Sequence, residues 1–447
     1  MIKRRMATVV AAGIAVTALT AGLAGCSSGG SDDGGDGAEG KVYFLNFKPE
    51  VAEQWVELAA EYTAETGVQV DVQTAASGTY ETTLKSEMAK SDAPTLFQVN
   101  GPVGLANWEA YAADISDSSI YSHLKDQSVA LTGDDGAVLA VPYVQETYGI
   151  IYNKALLEDY FALPDAEITS IDELNNFDAL KSVAEGIQAN KDELGVDGAF
   201  SSAGFDASSD WRFKTHLANI PLYWQFKADG VTGQPATVTN EYLDGYQDIF
   251  DLYINNSTTE RTLLSGKTME DSTSEFALGQ AVFYQNGTWA YGDVSGNAVA
   301  DEDLGMMPIY IGAEGEEDSG LATGSENYWV INGDASEADQ QATDDFLDWV
   351  ITSDTGRDTL ANTMGFVTPF DTMDDYLPDN PFVLADAEYT AAGKTAVTWN
   401  FTVMPSEEWK NNLGQALLQY AQETGSWDDV ETAFVDGWAT EYELANG

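Results

Sequence analysis

The chain has 447 residues, 44% of them hydrophobic, and its 74 aspartates and glutamates outnumber its 19 lysines and arginines to give a formal net charge of −55. A field of this sign repels polyphosphates and anionic lipid surfaces, which argues against nucleic-acid binding and against electrostatic attachment to a membrane. It favours neutral or cationic small molecules as ligands, and the length favours two domains.

The N-terminus carries the pattern of a secretory signal. Residues 3–5 are basic and precede an uncharged run over residues 7–25 that is rich in Ala, Val, Ile and Leu. We predict a signal peptide over residues 1–25, because the many Ala, Gly and Thr make the run weakly hydrophobic for a permanent membrane helix. The sequence LAGC (23–26) resembles the lipobox of bacterial lipoproteins, which implies that Cys26 becomes the N-terminus and carries the lipid.

Cys26 is the only cysteine of the chain. The mature domain is therefore expected to have no intramolecular disulfide, no thiol catalysis and no Cys-bound metal. Residues 26–40 are mostly Gly, Ser and Asp, which cannot bury apolar surface, so we predict a flexible linker between the lipid and the domain. Gly35, Gly37 and Gly40 spell GxGxxG, but no strand precedes them, and the dinucleotide-binding interpretation fails its structural requirement.

From Lys41 the sequence alternates short apolar runs with amphipathic stretches. Strands are predicted over 42–47, 68–73 and 95–99. One helix is expected to begin near Pro49, bury Trp55 and Tyr62 on one face and end at Gly67, and another is expected over 79–90. This alternation predicts parallel crossovers with helices on the faces of a sheet, which is an α/β domain.

After the apolar run 137–144 the sequence becomes richer in long helical patterns, and a second domain is predicted to begin near Tyr152. Helices are predicted over 172–195, 211–227, 241–255 and 336–353, and in the C-terminal part of the chain. Strands are predicted over 281–285, 304–311 and 327–332. The segment 312–320, GAEGEEDSG, is predicted to be an acidic surface loop.

Several segments together carry a family resemblance. They are PYVQETYGIIYNKALLE (142–158), AVFYQNGTWAYGDV (281–294), NFTVMPSEEW (400–409), the lipobox and the strand-helix-strand opening of 41–73. In order and spacing they resemble the extracytoplasmic solute-binding proteins of ABC sugar importers, the maltose-binding-like family 1. The segment DWRFKTHLANIPLYW (210–224) is similar to the subgroup that binds oligosaccharides of the raffinose, manno- or xylo-oligosaccharide kind.

The resemblance implies an α/β, two-lobed, periplasmic-binding-protein-like fold whose hinge the chain crosses about three times. Carried onto this sequence, lobe one holds 41–148 plus 325–365, and the helix-rich lobe two holds 149–324 plus 366–447. Hinges are then expected near 148–151, 320–325 and 365–369, where Gly149, Gly320, Gly324 and Gly365 would permit changes of backbone dihedrals.

A neutral sugar offers C–H faces that pack on aromatic rings and hydroxyls that each donate and accept a hydrogen bond. Trp211, Trp289 and Trp399 lie in polar, irregular stretches and are predicted to stack on the ligand, and the resemblance adds Tyr291 and Phe401 as neighbours. The tryptophans in helical patterns are predicted to be core residues: Trp55, Trp349, Trp409, Trp427 and Trp438.

Five polar side chains are candidates for the ligand hydroxyls. The resemblance places Glu146 before the hinge strand, and Glu326 opens the return of the chain to lobe one. Asn100 and Lys48 follow predicted strands at the carboxyl edge of the sheet, where α/β proteins bind ligands. Asn400 lies between two candidate aromatics. For each of them, a solvated or capping role is the alternative.

Signals for enzymatic chemistry are weak. His123 and His216, the only histidines, form neither a HExxH nor a triad spacing, SGKT (265–268) lacks the first glycine of a phosphate loop, and no GxSxG is present. We predict no enzyme activity, no metal and no cofactor.

The resemblance implies a monomer that is anchored outside the cytoplasm, binds an oligosaccharide and meets ABC permease subunits in the membrane. The alternatives are a peptide- or polyamine-binding protein of the same fold and a secreted glycoside hydrolase. Among 74 acidic residues a suitably spaced carboxylate pair is expected by chance, so the number of acids does not discriminate between these functions.

Overall fold

A computed structural model describes residues 40–76 and 78–447. The predicted signal peptide, Cys26 and all of the linker except Gly40 lie outside the described residues. Within the described part of the chain, none of the helices combines the length and the hydrophobicity that a bilayer-crossing helix requires.

The described residues form two sheets. In chain order the strands are β1 (Val42–Asn46), β2 (Val70–Thr74), β3 (Leu96–Asn100), β4 (Leu131–Thr132), β5 (Val138–Pro142), β6 (Glu146–Asn153), β7 (Gly198–Phe200), β8 (Ala281–Gly287), β9 (Leu304–Met307), β10 (Ser319–Gly324), β11 (Asn327–Ile331) and β12 (Thr395–Thr398). The first sheet has the order β2-β1-β3-β11-β5-β4, and the second has the order β12-β10-β6-β8-β7 with β9 paired to β6.

The first sheet begins as the sequence predicts. β1 pairs in parallel with β2 and β3, and β11 then returns from far along the chain to pair antiparallel with β3. Adjacent residues of β1 enter cores on opposite faces, Phe44 on one and Leu45 on the other. A sheet buried on both faces explains why its strands β1 and β5 read as continuous apolar runs, whereas the edge strand β2 alternates apolar and polar residues.

The helices cover these sheets. Those of eight or more residues are Ala52–Thr66, Tyr80–Met88, Gly101–Trp108, Lys154–Phe161, Phe177–Ala189, Asn219–Asp229, Leu243–Asn255, Met269–Ala277, Glu337–Thr352, Pro381–Ala391, Glu407–Ala421 and Trp427–Asn446. The helix Ala52–Thr66 buries Trp55 and Tyr62 and ends at Gly67, whose φ of +84° favours glycine, so its predicted face and end are confirmed.

The predicted helix over 211–227 is interrupted. Residues Arg212–Leu217 form a π-helix, and an α-helix follows over Asn219–Asp229. A π-helix has i→i+5 hydrogen bonds in place of the i→i+4 bonds of an α-helix, and it occurs frequently at functional sites. The π-helix packs against the second sheet, where the carbonyl oxygen of Arg212 accepts hydrogen bonds from Tyr148 and Gln285. It also carries His216, which belongs to the site described below.

The chain passes between the two sheets through residues 143–145, through residues 325–326, and between β11 and β12. We call the first sheet with the side chains that pack on it the first lobe, and the second sheet with its own packed side chains the second lobe. The α/β, two-lobed architecture agrees with the prediction. Phe366, Phe370 and Met373 pack in the core of the first lobe.

Two of the expected hinge glycines have another role. Gly149 lies inside β6 and Gly324 lies at the end of β10, where both are held by sheet pairing. A Cβ atom at Gly149 would lie 2.4 Å from the carbonyl oxygen of Met307, and one at Gly324 would lie 2.7 Å from Cβ of Trp399. These glycines therefore permit close packing. The segments that join the sheets are the short ones at 143–145 and 325–326 and the longer connection between β11 and β12.

The acidic segment 312–320 is only partly a surface loop. Glu316 is 4% exposed, and its carboxylate accepts hydrogen bonds from the backbone N–H groups of Ile311, Gly312, Ala313 and Phe177. Four backbone donors compensate the burial of one charge. This acid therefore holds the loop against the helix Phe177–Ala189.

Candidate ligand-binding site

Five aromatic side chains of the second lobe gather on its cleft side, and we call them the second-lobe aromatic cluster: Trp211, His216, Trp289, Trp399 and Phe401. The ring centroids of Trp211 and Trp289 are 5.9 Å apart, and those of Trp289 and Trp399 are 6.4 Å apart. Trp211 and Trp289 are partly exposed, whereas Trp399 is 5% exposed. The three tryptophans that the sequence singled out therefore lie together.

Glycines position two of these rings. Trp289 lies in the 3-10 turn Thr288–Ala290 after β8, and its ring folds back so closely that a Cβ atom at Gly287 would lie 2.1 Å from it. Trp399 directly follows β12 and lies against Gly324 in the same way. Trp211 precedes the π-helix, and its Nε1 donates to the carbonyl oxygen of Ser208 at 2.9 Å.

His216 lies at the centre of the cluster. Its ring centroid is 4.6 Å from that of Phe401, 5.0 Å from that of Trp211 and 5.5 Å from those of both Trp289 and Trp399. Burial lowers the pKa of His216 to about 3, so the imidazole is neutral at physiological pH. From the sequence we considered His216 only as a metal ligand or a member of a catalytic triad, and did not predict that it lies among the candidate aromatic residues.

A buried ion pair joins Lys48 of the first lobe to Glu146 at the start of β6 in the second lobe. Lys48 follows β1 and is 4% exposed, and its Nζ lies 2.7 Å from Oε1 of Glu146 and 3.3 Å from Oε1 of Glu50. Burial disfavours the ammonium, but the two carboxylates outweigh it and hold the pKa of Lys48 above its ordinary value. The same Nζ lies 5.7 Å from the ring centroid of Trp289, so the pair borders the aromatic cluster.

A second polar pair lies at the edge between β3 and β11. Nδ2 of Asn100 donates to Oε1 of Glu326 at 2.7 Å, and Asn100 stands opposite Asn327 in the sheet register. Burial raises the pKa of Glu326 to about 7. Among the described residues, the side-chain oxygen of Asn100 is buried without a hydrogen-bond partner, so it can accept from a ligand.

The two lobes meet beside these groups. A Cβ atom at Gly101 would lie 2.5 Å from Cβ of Thr402, so the first lobe touches the second at that point. A cavity of 420 Å³ opens next to this contact and includes Phe401 of the aromatic cluster. Its other lining residues include Glu81, Asn100, Val103 and Asn107 of the first lobe and Met404, Glu407 and Lys410 of the second.

Two candidates lie less directly against the cluster. Tyr291 packs edge-on against Phe382 with ring centroids 5.8 Å apart, and its hydroxyl donates to Asp301. Asn400 is held through its backbone N–H, which donates to Oδ1 of Asn219 at 2.5 Å. The structure thus groups the tryptophans, Phe401, Lys48 and Glu146, whereas Tyr291 belongs to a neighbouring core.

The sequence matches the family model described as bacterial extracellular solute-binding protein over residues 57–395. No curated protein matches the chain. A likeness to solved structures extends over nearly the whole fold.

Three such structures illustrate the likeness. A chitin oligosaccharide binding protein is 15% identical, with a TM-score of 0.71 over 92% of this chain and 100% of that chain. RafE in complex with raffinose is 17% identical, with a TM-score of 0.68 over 90% of this chain and 99% of that one. The GacH receptor of Streptomyces glaucescens, solved unliganded and with acarbose, is 17% identical, with a TM-score of 0.65 over 91% and 99%. These likenesses confirm the predicted fold.

Proposed function

The chain belongs to the bacterial extracellular solute-binding proteins, and on this basis we propose that it captures a neutral oligosaccharide between its lobes and delivers it to the permease of an ABC importer. The observation that carries the proposal is the gathering of Trp211, Trp289 and Trp399 on the second lobe, with Lys48 of the first lobe 5.7 Å from the ring centroid of Trp289. The three similar structures described above are a chitin oligosaccharide binding protein, a complex with raffinose and a receptor solved with acarbose, and these ligands support a carbohydrate for this chain.

The chemistry of the two cleft faces supports this ligand class. Indole faces pack on the C–H groups of a pyranose ring, and they do so without requiring charge. Across the cleft, Asn100 and Glu326 offer amide and carboxylate groups that hydrogen-bond to hydroxyls, and the Lys48–Glu146 pair borders the same face. A neutral ligand with one apolar face and many hydroxyls uses both kinds of surface.

The proposed mechanism is hinge closure. A sugar that contacts both lobes only when they are closed shifts the population toward the closed form by its differential affinity. Micromolar affinity, which corresponds to about −8 kcal/mol, permits both capture and release.

We further propose lobe boundaries close to those inferred from the sequence. The first lobe holds 41–145 plus 325–376, with its C-terminal limit set by Phe366, Phe370 and Met373, which pack in its core. The second lobe holds 146–324 plus 377–447. Tethering through a lipid on Cys26, a location outside the cytoplasm and a monomeric state complete the proposal.

Calorimetry with a panel of ligands tests the proposed function. The panel contains raffinose, triacetylchitotriose and xylotriose as neutral oligosaccharides, with spermidine and a tripeptide as the alternative classes. We expect saturable heat with at least one oligosaccharide and none with spermidine or the tripeptide. Binding of spermidine or the tripeptide alone would replace the carbohydrate proposal. Shorter sugars appearing on prolonged incubation would identify a glycoside hydrolase instead.

A further inference from the structure

His216 is an unusual residue to find at the centre of an aromatic cluster. It is 5% exposed, and within the described part of the chain neither of its ring nitrogens has a hydrogen bond of good geometry, although the backbone of Trp211 lies close enough to interact with the imidazole. Buried polar atoms without partners cost free energy, and natural proteins retain few of them. An imidazole that only filled space would be replaced at lower cost by a phenyl ring of similar shape.

The segment that carries this histidine is also irregular. His216 lies in the π-helix Arg212–Leu217, and such irregularities occur frequently at functional sites. The π-helix directs the imidazole toward the three tryptophans that the proposed function assigns to the ligand. Nε1 of Trp399 is likewise buried without a partner among the residues that the structure describes.

The chemistry of the imidazole suits a hydroxyl group. Burial keeps it neutral, as its lowered pKa of about 3 indicates, so it has one N–H donor and one bare nitrogen acceptor. A sugar hydroxyl likewise donates one hydrogen bond and accepts others. Two neighbouring hydroxyls can therefore satisfy both nitrogens at once, whereas a tryptophan of the cluster offers only an N–H donor and Phe401 offers neither donor nor acceptor.

We propose that His216 is a specificity-determining residue of the ligand site, which hydrogen-bonds a pair of sugar hydroxyls within the second-lobe aromatic cluster. This inference rests on the proposed oligosaccharide function. The aromatic rings alone would accept many pyranose faces, whereas the imidazole requires hydroxyls at a fixed position. A site built to hydrogen-bond a hydroxyl rejects analogues that lack it far more strongly than an apolar site does.

Imidazole ¹⁵N NMR tests the contact directly, because the chain has only two histidines. The other, His123, is partly exposed, and its Nδ1 lies 2.8 Å from Asp371 in the first lobe, so it serves as the internal control. The spectrum is recorded with and without saturating amounts of the oligosaccharide that gives heat in the panel, and His123→Gln assigns the signals. We expect the His216 signals to shift and the His123 signals to stay; unshifted His216 signals would overturn the inference.

Substitution provides the second readout. His216→Phe keeps the ring and removes both nitrogens, so we expect the Kd to rise about tenfold or more while the melting temperature of the free protein is unchanged or higher. Unchanged affinity in a folded variant would overturn the inference and leave the proposed function standing. If wild-type protein binds no sugar of the panel, both fail together. If His216→Phe does not fold, the NMR titration of the wild type decides.

Discussion

Each lobe contains an aromatic cluster, and the two clusters differ in what they leave accessible. In the first lobe the ring of Trp329 stacks on Tyr143 with centroids 4.4 Å apart at 6°, and Trp55 packs edge-on against it. These rings and Phe370 make up the first-lobe aromatic cluster, and all four are 0% exposed. In the second-lobe cluster Trp211 and Trp289 are partly exposed, and a histidine lies at the centre.

The comparison shows which features distinguish a packed aromatic core from a candidate ligand-binding site. Aromatic content does not distinguish a core from a ligand site, because both clusters are rich in tryptophan. A buried indole N–H without a partner does not either, since within the described residues Trp55 and Trp329 have this feature as well as Trp399. Partial exposure and an unsatisfied imidazole belong to the second cluster alone, and these predict ligand binding there.

The largest expected effect concerns the stability of the first cluster. Trp55→Ala removes a fully buried indole that packs against Phe44 and Trp329, and we expect a loss of about 3–5 kcal/mol in the free energy of unfolding. Urea titration measures it. The surviving folded protein should bind oligosaccharide with a nearly unchanged Kd; a large loss of affinity with little loss of stability would erase the contrast between the clusters.

Lys48 lies between the second-lobe aromatic cluster and Phe366 of the first lobe, with its Nζ 5.7 Å from the ring centroid of Trp289 and 5.9 Å from that of Phe366. Lys48→Met leaves the carboxylate of Glu146 buried without its partner, so we expect a loss of about 3 kcal/mol in unfolding free energy. The double variant Lys48→Met/Glu146→Gln serves as the control and should recover most of that loss in the same urea titration. A double variant no more stable than the single one would contradict the account.

Trp211→Ala tests the contrast between the two lobes through the affinity of the protein for oligosaccharide. The indole is a partly exposed anchor of the second cluster, so we expect binding to weaken by about 1–4 kcal/mol in calorimetry. Trp349→Ala is the matched control, because Trp349 is also partly exposed and also donates its indole N–H, to Glu65, but lies in the first lobe. Equal affinities for both variants and the wild type would remove Trp211 from the site.

Glu326 gives the smallest effect, through pH. Its pKa is raised from 4.5 to about 7 by burial, so between these values the folded protein binds more protons at this group than the unfolded chain does. This group therefore makes stability fall as pH rises from about 4.5 to about 7, by about 1–2 kcal/mol.

The comparison of wild type with Glu326→Gln isolates that contribution, because other buried carboxyl groups remain in both proteins. Thermal unfolding at pH 5 and pH 7.5 measures it. The variant should lose less stability over this range than the wild type. Identical pH dependence in the two proteins would mean that Glu326 titrates normally in the fold.

Much of the fold follows from patterns that the sequence displays openly. The parallel strands β1 to β3 and the helix Ala52–Thr66 follow from apolar periodicity and from the breaking residues Pro49 and Gly67. Periodicity cannot show that β11 pairs antiparallel with β3, because that contact joins residues more than 200 positions apart. Nor can it show a π-helix, whose composition is that of an ordinary helix.

Part of the candidate site could also be predicted from the sequence. Trp211, Trp289 and Trp399 stood out because large rings rarely occur in polar, irregular stretches, and the fold brings them together. His216 did not stand out, because the absence of a hydrogen-bond partner is a property of three-dimensional surroundings. The family resemblance grouped Tyr291 with Trp289, yet its ring packs against Phe382.

A crystal structure of the protein with the oligosaccharide that gives the largest heat tests the central claim most directly. We predict a pyranose ring within about 4 Å of the Trp211 or Trp289 face, with hydroxyls at hydrogen-bond distance from His216 and from Asn100 or Glu326 across the cleft. A sugar bound elsewhere, with the second-lobe aromatic cluster unaltered and empty of ligand, would contradict the account.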